Sequence, residues 1–182
     1  LKQKLAESYS LKSENVFVAN GSDDILNFAF MAFARENGAA FPDISYGFYP
    51  VFADLYNVDA KIIPLEDDFS IDYKKYLSIG KMVVIANPNA PTGKVIPKSE
   101  IEEIIKTNSD NVVLIDEAYV DFGAESVIDL VEKYDNLLVV GTFSKSRSMA
   151  GAYRGLAFAN AEIIWDLEKI KYSTNPYNIN RL

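Results

Sequence analysis

Lys145 is the first residue whose setting could support chemistry. It stands directly after an apolar run, in the segment Thr142-Phe143-Ser144-Lys145. Partial burial of a lysine amine lowers its pKa and makes the amine a nucleophile that can form a Schiff base with a carbonyl group. A solvated loop lysine would show the same pattern, so this segment alone leaves both interpretations open.

Asp116 offers a second reactive group, because it follows the apolar run at residues 112–115 directly. A carboxylate at the end of a buried strand is costly unless a partner satisfies it. A protonated pyridine nitrogen would be a suitable partner, and Tyr119 could aim its hydroxyl at the same ligand. The alternatives are a capping aspartate or a magnesium ligand in a nucleotide enzyme, although the chain has no G-x-x-x-x-G-K-[ST] phosphate loop.

Three further segments combine turn residues with polar or aromatic groups. Asn20-Gly21-Ser22-Asp23 would expose backbone N–H groups at the positive end of a helix, where a phosphate binds, or Ser22 could simply be the N-cap. Residues 87–93 form a rigid loop whose asparagines offer amide donors or only stabilise a turn. Tyr46 could stack on a planar ring or belong to the core.

The composition narrows the chemistry further. The 182 residues are 49% apolar and 24% charged, which is typical of a globular domain. There is no cysteine and no histidine, so disulfides, thiolate nucleophiles, histidine-ligated zinc and Ser-His-Asp triads are excluded, and we expect no metal site. Reactive groups must come from other side chains or from a cofactor.

The net charge of −8 results from 18 basic and 26 acidic residues. This balance argues against nucleic-acid binding and against a basic membrane-binding surface. The apolar runs are too short to span a bilayer, and the amino-terminal residues show no signal-peptide core. We therefore expect a cytoplasmic protein, or a piece of one, since the chain does not begin with methionine.

Short apolar runs alternate with amphipathic stretches along the chain. We predict strands at residues 16–19, 39–41, 60–64, 82–86, 112–116, 137–142 and 155–159. We predict helices at residues 22–36, 48–56, 99–107, 125–134 and 162–172. This alternation predicts an α/β fold with a mainly parallel, about seven-stranded sheet, in which ligands bind at the carboxyl ends of the strands.

The order of these motifs, each after a strand, resembles the fold-type I pyridoxal-phosphate aminotransferases, and most of all their histidinol-phosphate branch. The resemblance covers essentially all 182 residues and implies the three-layer α/β/α large domain of these enzymes. The motifs that carry it are Asn20-Gly21-Ser22-Asp23-Asp24, residues 87–93, Asp116-Glu117-Ala118-Tyr119, Ser144-Lys145-Ser146-Arg147 and Pro176-Tyr177-Asn178-Ile179-Asn180.

The resemblance also implies a cofactor, pyridoxal 5′-phosphate, and a role for each motif. Lys145 would form the Schiff base and shuttle the proton, which explains acid–base chemistry without histidine. Asp116 would pair with the pyridine nitrogen, Tyr119 would hydrogen-bond the phenolic oxygen, and Tyr46 would stack on the ring. The remaining expected cofactor-binding residues are Gly21, Ser22, Asp23, Asn87, Asn89, Thr142, Ser144 and Arg154.

Two departures from the family pattern stand out. The position before Pro-Thr-Gly, usually asparagine, is Ala90, so either Asn89 reaches across or one hydrogen bond is absent. The phosphate-binding arginine, usually eight residues after the Schiff-base lysine, is replaced by Tyr153, and Arg154 follows it. Arg154 either reaches the phosphate through a local bulge or points the other way, and Arg147 is a substitute.

By the same resemblance, residues 1–182 correspond to the cofactor-binding large domain, without the amino-terminal arm and the carboxyl-terminal small domain of family members. The full-length protein is expected to be a homodimer with a small-molecule amino-acid or phosphate substrate. The leading hypothesis is transamination between histidinol phosphate and 2-oxoglutarate in histidine biosynthesis. The alternatives are a threonine-phosphate decarboxylase or another aminotransferase, a non-catalytic cofactor-binding module, and a nucleotide-binding domain, which the missing G-x-G-x-x-G disfavours.

Overall fold

A computed structural model describes residues 1–174, of which 172–174 are described by their backbone alone. The family-like segment at residues 176–180 lies outside these residues. All seven predicted strands are present, with ends that differ by one residue at most. They are β1 (Val16–Asn20), β2 (Ala39–Pro42), β3 (Ala60–Ile63), β4 (Met82–Ala86), β5 (Val113–Asp116), β6 (Leu137–Thr142) and β7 (Arg154–Ala159).

The strands form one sheet in the order β1-β7-β6-β5-β4-β2-β3. Strand β7 runs antiparallel to both of its neighbours, whereas the other pairings are parallel. The predicted mainly parallel, seven-stranded sheet is therefore confirmed. Because only β7 is reversed, its first residues lie at the edge where the parallel strands end.

Within the described residues, five α-helices cover the sheet. They are α1 (Lys2–Ser8), α2 (Gly21–Phe33), α3 (Phe48–Leu55), α4 (Lys98–Thr107) and α5 (Ala161–Thr174). Alternate residues of the central strands contribute to two separate apolar clusters, as Val84 and Val83 do in β4. The first cluster contains buried side chains of α2, α3 and α5, and the second contains those of α1 and α4. The fold is thus the expected three-layer α/β/α arrangement.

One helix prediction was wrong, and one helix was not predicted. Residues 125–134 form only a 3₁₀ turn, Ile128–Leu130, within a loop. The Glu117 carboxylate accepts bonds from the backbone N–H of Val127 and the hydroxyl of Ser126, which fixes this segment as a loop despite its apolar residues. Helix α1 was not predicted, because it buries only Leu5 and Ala6 and so shows little apolar periodicity.

Two glycines bring the start of α2 against β7. A Cβ atom on Gly155 would lie 2.1 Å from the carbonyl oxygen of Gly21, so only glycine fits there. Gly21 itself has a φ of 76°, a left-handed conformation that costs a glycine little. Helix α2 begins at Gly21, with Asn20 as its N-cap, so Ser22 is not the cap. This contact fixes the helix amino terminus at the ligand edge of the sheet.

No helix within residues 1–174 is long and apolar enough to cross a membrane.

Candidate active site

A cavity of about 240 Å³ opens at the carboxyl ends of the parallel strands. Its size lies somewhat below the range of roughly 300–1,000 Å³ that small-ligand sites occupy. The structure brings nine of the predicted site residues into its lining: Gly21, Ser22, Asp23, Tyr46, Asp116, Tyr119, Thr142, Ser144 and Lys145. Motifs spread over more than 120 positions of the chain therefore share one site.

Asp116, the last residue of β5, is the buried carboxyl group of the cavity and only 5% exposed. Its Oδ2 accepts a hydrogen bond from the Tyr49 hydroxyl at 2.9 Å, and its Oδ1 accepts one from the Ala118 backbone N–H at 3.1 Å. Burial raises the pKa of Asp116 to about 6, against the opposing effect of these two bonds and of Lys145. A cationic partner in the cavity would relieve this cost of burying the carboxylate.

Tyr49 is a site residue that the sequence analysis missed. It lies on α3, is fully buried, and fixes one oxygen of Asp116. Burial and the neighbouring Asp116 raise the pKa of Tyr49 well above its usual value, so the phenol stays protonated as a donor. A tyrosine within an apolar helix is indistinguishable from a core residue in the sequence, and nothing in the pattern connects it with Asp116.

Lys145 lies in the turn after β6, and its amine is 5.3 Å from the centre of the Tyr119 ring. The turn is held by Thr142, whose hydroxyl donates to the Arg154 carbonyl at 3.1 Å and accepts from the Ser144 N–H at 3.1 Å. The side chain of Lys145 is exposed and reaches the cavity wall. Lys145 is therefore not partly buried as the sequence argument required, but its amine and the buried Asp116 carboxyl share the same cavity.

The amino terminus of α2 forms another wall of the cavity through Gly21, Ser22 and Asp23. The first N–H groups of a helix have no acceptor within it, and the helix dipole favours an anion beside them. The Gly21 N–H donates to the Tyr153 carbonyl at 3.0 Å, so it is not available to a ligand. Those of Ser22 and Asp23 belong to the same first turn and are the backbone donors that the sequence predicts for a phosphate.

Tyr46 supplies an aromatic wall. Its hydroxyl donates to Asp23 at 2.8 Å, and its ring stacks on Phe48 at 5.8 Å between centroids. Burial and Asp23 raise the pKa of Tyr46 above its ordinary value. These contacts hold the ring at the cavity, as the sequence predicts for a residue that stacks on a planar ligand.

The two predicted asparagines do not line the cavity. The amide of Asn87 pairs with the backbone N–H and carbonyl of Ile96, and the amide of Asn89 bonds Ser45, Thr92 and the backbone of Ile44. A loop with two prolines lacks two backbone donors, so these side chains supply the missing hydrogen bonds. Ala90 lines the cavity in their place, and neither amide is offered to a ligand there.

Arg154 is also outside the cavity lining. Its side chain is 7% exposed, and Nη1 donates to the carbonyl oxygen of Tyr153 at 3.3 Å. The neighbouring residue Tyr153, which precedes β7 and has a left-handed backbone, lines the cavity instead. Arg147, the substitute considered from the sequence, forms a salt bridge with Asp121 at 3.0 Å and lines a separate cleft.

Ala86, Ala118 and Ala150 complete the lining, together with Ala90 and Tyr153. Small side chains leave room for a ligand but give no chemical signal in a sequence. The described residues combine an anion-binding helix terminus, an aromatic wall, a buried carboxyl group and an amine. This donor set fits a phosphorylated, nitrogen-containing aromatic aldehyde, because each of its groups would meet a complementary side chain or backbone group.

Comparisons with known proteins agree with this set of groups. The family model for class I and II aminotransferases matches residues 1–175. Histidinol-phosphate aminotransferases from Brachyspira hyodysenteriae and Lactococcus lactis subsp. cremoris are 52% and 50% identical to the chain over its whole length, which covers 52% and 51% of those proteins. The chain thus spans about half the length of the curated relatives it matches.

Solved structures show the same similarity. A histidinol-phosphate aminotransferase from Clostridium acetobutylicum superposes with a TM-score of 0.85 at 25% identity, over 98% of this chain and 54% of that one. An L-threonine-O-3-phosphate decarboxylase from Porphyromonas gingivalis shares the fold, with a TM-score of 0.81 at 23% identity over 92% and 54% of the two chains. From its sequence match and its fold, the chain belongs to the class I and II aminotransferase family.

Proposed function

We propose that this chain is the cofactor-binding part of a pyridoxal-phosphate-dependent aminotransferase that acts on histidinol phosphate and 2-oxoglutarate. The observation that carries the proposal is the meeting of Lys145 and Asp116 in one cavity with the amino terminus of α2. Identities near 50% to proteins named histidinol-phosphate aminotransferase support this substrate over the threonine-phosphate decarboxylase alternative.

Each residue would have a definite task toward the cofactor. Asp116, fixed through both carboxyl oxygens by Tyr49 and Ala118, would hold the proton of the ring nitrogen. The first turn of α2 and the Ser144 hydroxyl would bind the phosphate, and the ring of Tyr46 would lie against the cofactor ring. When bound, pyridoxal phosphate supplies an aldehyde for amines and an electron-withdrawing ring.

Lys145 would perform the acid–base work. Its amine lies beside the Tyr119 ring at the cavity wall, where it can react with the cofactor aldehyde and, once displaced by substrate, carry a proton. In a chain without histidine this amine is the cavity's natural base.

The test is the visible absorption that pyridoxal phosphate acquires when it is bound to a lysine amine. We expect the wild-type chain to show the band, Lys145→Ala to lack it, and Lys4→Ala, an exposed lysine on α1, to keep it. A wild type without the band, or a Lys145→Ala variant that keeps it, would refute the proposal. A substrate screen with the full-length gene product then separates transamination from decarboxylation.

The proposal includes a homodimer in the full-length protein. An apolar strip on α3, formed by Phe48, Val51 and Leu55, is 48–65% exposed and is consistent with a subunit contact. Sedimentation of the full-length protein with Val51→Asp and Leu55→Asp variants tests it. Cytoplasmic localisation stays a prediction from the sequence.

A further inference from the structure

The backbone of Tyr153 is held in an unusual conformation at the cavity. Its φ is 50°, in the left-handed region, which costs a residue with a side chain about 1 kcal/mol or more. Its side chain is 56% exposed, so apolar burial does not offset this cost. Strained residues are frequent at functional sites, so the conformation of Tyr153 suggests that its side chain binds a ligand there.

The position of the ring indicates this role. A Cβ atom built on Gly21 would lie 3.6 Å from Cζ of Tyr153 and 3.7–3.8 Å from its two Cε atoms. These three atoms form the hydroxyl-bearing end of the ring. The phenol group therefore lies beside the first residue of α2, and the Tyr153 carbonyl is tied to the same residue through the Gly21 N–H.

Basic side chains are scarce in the cavity wall near the α2 terminus, so a neutral hydrogen-bond donor could act there. Arg154 is not among the lining residues, and its Nη1 donates to the Tyr153 carbonyl, the oxygen that also accepts from the Gly21 N–H. Arg147 is paired with Asp121. Among the described residues that line the cavity, Lys145 is the one basic side chain. Within the cavity wall, an anion at the α2 terminus would thus meet hydroxyl and backbone donors, while the Arg154 guanidinium stays on the Tyr153 carbonyl.

We propose that the Tyr153 hydroxyl donates a hydrogen bond to the cofactor phosphate, in the place beside the α2 terminus that a cationic side chain could otherwise take. This inference rests on the proposed function, since it names a ligand of the same cofactor. A phenol is a donor without charge, so it contributes direction and one hydrogen bond rather than an ion pair.

Calorimetric titration of the cofactor-free chain with pyridoxal phosphate and with pyridoxal tests the proposal, because the two compounds differ only in the phosphate. Tyr153→Phe keeps the ring against Gly21 and removes only the hydroxyl. We expect its affinity for pyridoxal phosphate to fall about tenfold, as for loss of a hydrogen bond to a charged group, with its affinity for pyridoxal changed less than about twofold. Tyr134→Phe, before β6 and so at the opposite edge of the sheet, is the matched control and should match wild type.

Three outcomes would overturn the inference. The first is a Tyr153→Phe variant with wild-type affinity for both compounds, and the second is one that loses both equally. The third is a selective loss of pyridoxal phosphate in Arg154→Ala with none in Tyr153→Phe, which would assign the phosphate to the guanidinium. A wild type that binds neither compound would refute the proposed function, and this inference with it.

Discussion

Replacing Asp116 by asparagine should remove one defined contribution to the pH dependence of folding in the cofactor-free protein. Burial raises the pKa of this carboxyl from 3.8 to about 6. Between these values the folded chain binds a proton that the unfolded chain has lost. The free energy of unfolding therefore falls as the pH rises through this window.

The magnitude follows from the shift. Two pKa units correspond to about 3 kcal/mol in total, of which about 2 kcal/mol lies between about pH 4.5 and 8. Asp116→Asn lacks this contribution. As the pH rises from about 4.5 to 8, the free energy of unfolding of Asp116→Asn minus that of wild type should therefore increase by about 2 kcal/mol. Burial also raises the pKa of Glu117, to about 7, but that residue is present in both proteins and largely cancels in the difference.

The assay is urea unfolding followed by circular dichroism at several pH values. A constant offset between the two proteins is not diagnostic, because the asparagine amide meets the Ala118 N–H and Tyr49 hydroxyl differently from a carboxylate. The change of the offset with pH is the measured quantity. Parallel stability curves for wild type and Asp116→Asn would refute the electrostatic account of this site.

Two further changes test the packing that positions the site. Gly155→Ala should destabilise the fold by about 1–3 kcal/mol, because its Cβ would clash with the Gly21 carbonyl. Gly141→Ala is the control, since no atom lies within 4 Å of its Cβ, and it should lower the urea midpoint far less. Tyr76→Phe should raise the free energy of unfolding by about 1 kcal/mol, because its buried hydroxyl has no hydrogen-bond partner within residues 1–174. A higher urea midpoint checks it, and an unchanged or lower midpoint would contradict it.

The strands could be predicted because buried parallel strands are continuous apolar runs, as in β4 and β5. The segment at residues 125–134 has apolar residues at helical spacing, but the Glu117 carboxylate binds its backbone, a contact that no local pattern encodes. Helix α1 was not predicted, because it packs on the sheet through only two apolar side chains and therefore shows little apolar periodicity.

The location of the site could be predicted better than the direction of its side chains. Polar residues after strands meet at one sheet edge, which correctly brought Lys145 and Asp116 together. Asn87 and Asn89 follow a strand too, yet the needs of their own loop direct both amides inward. Tyr153 and Arg154 are neighbours, and only the observed backbone turn shows which of them lines the cavity.

The pairing of β1 with β7 has a consequence for synthesis of the chain. Val16 pairs with Phe158, so the first strand made finds one neighbour only among the last residues of the sheet. At about 5–20 residues per second, β1 waits on the order of ten seconds at the ribosome with its hydrogen-bonding edges unpaired. The start of α2 packs against Gly155 in that same late strand. In a nascent chain without β7, the start of α2 therefore lacks the strand against which it packs. Under the proposed function, we expect cofactor binding to follow completion of this sheet.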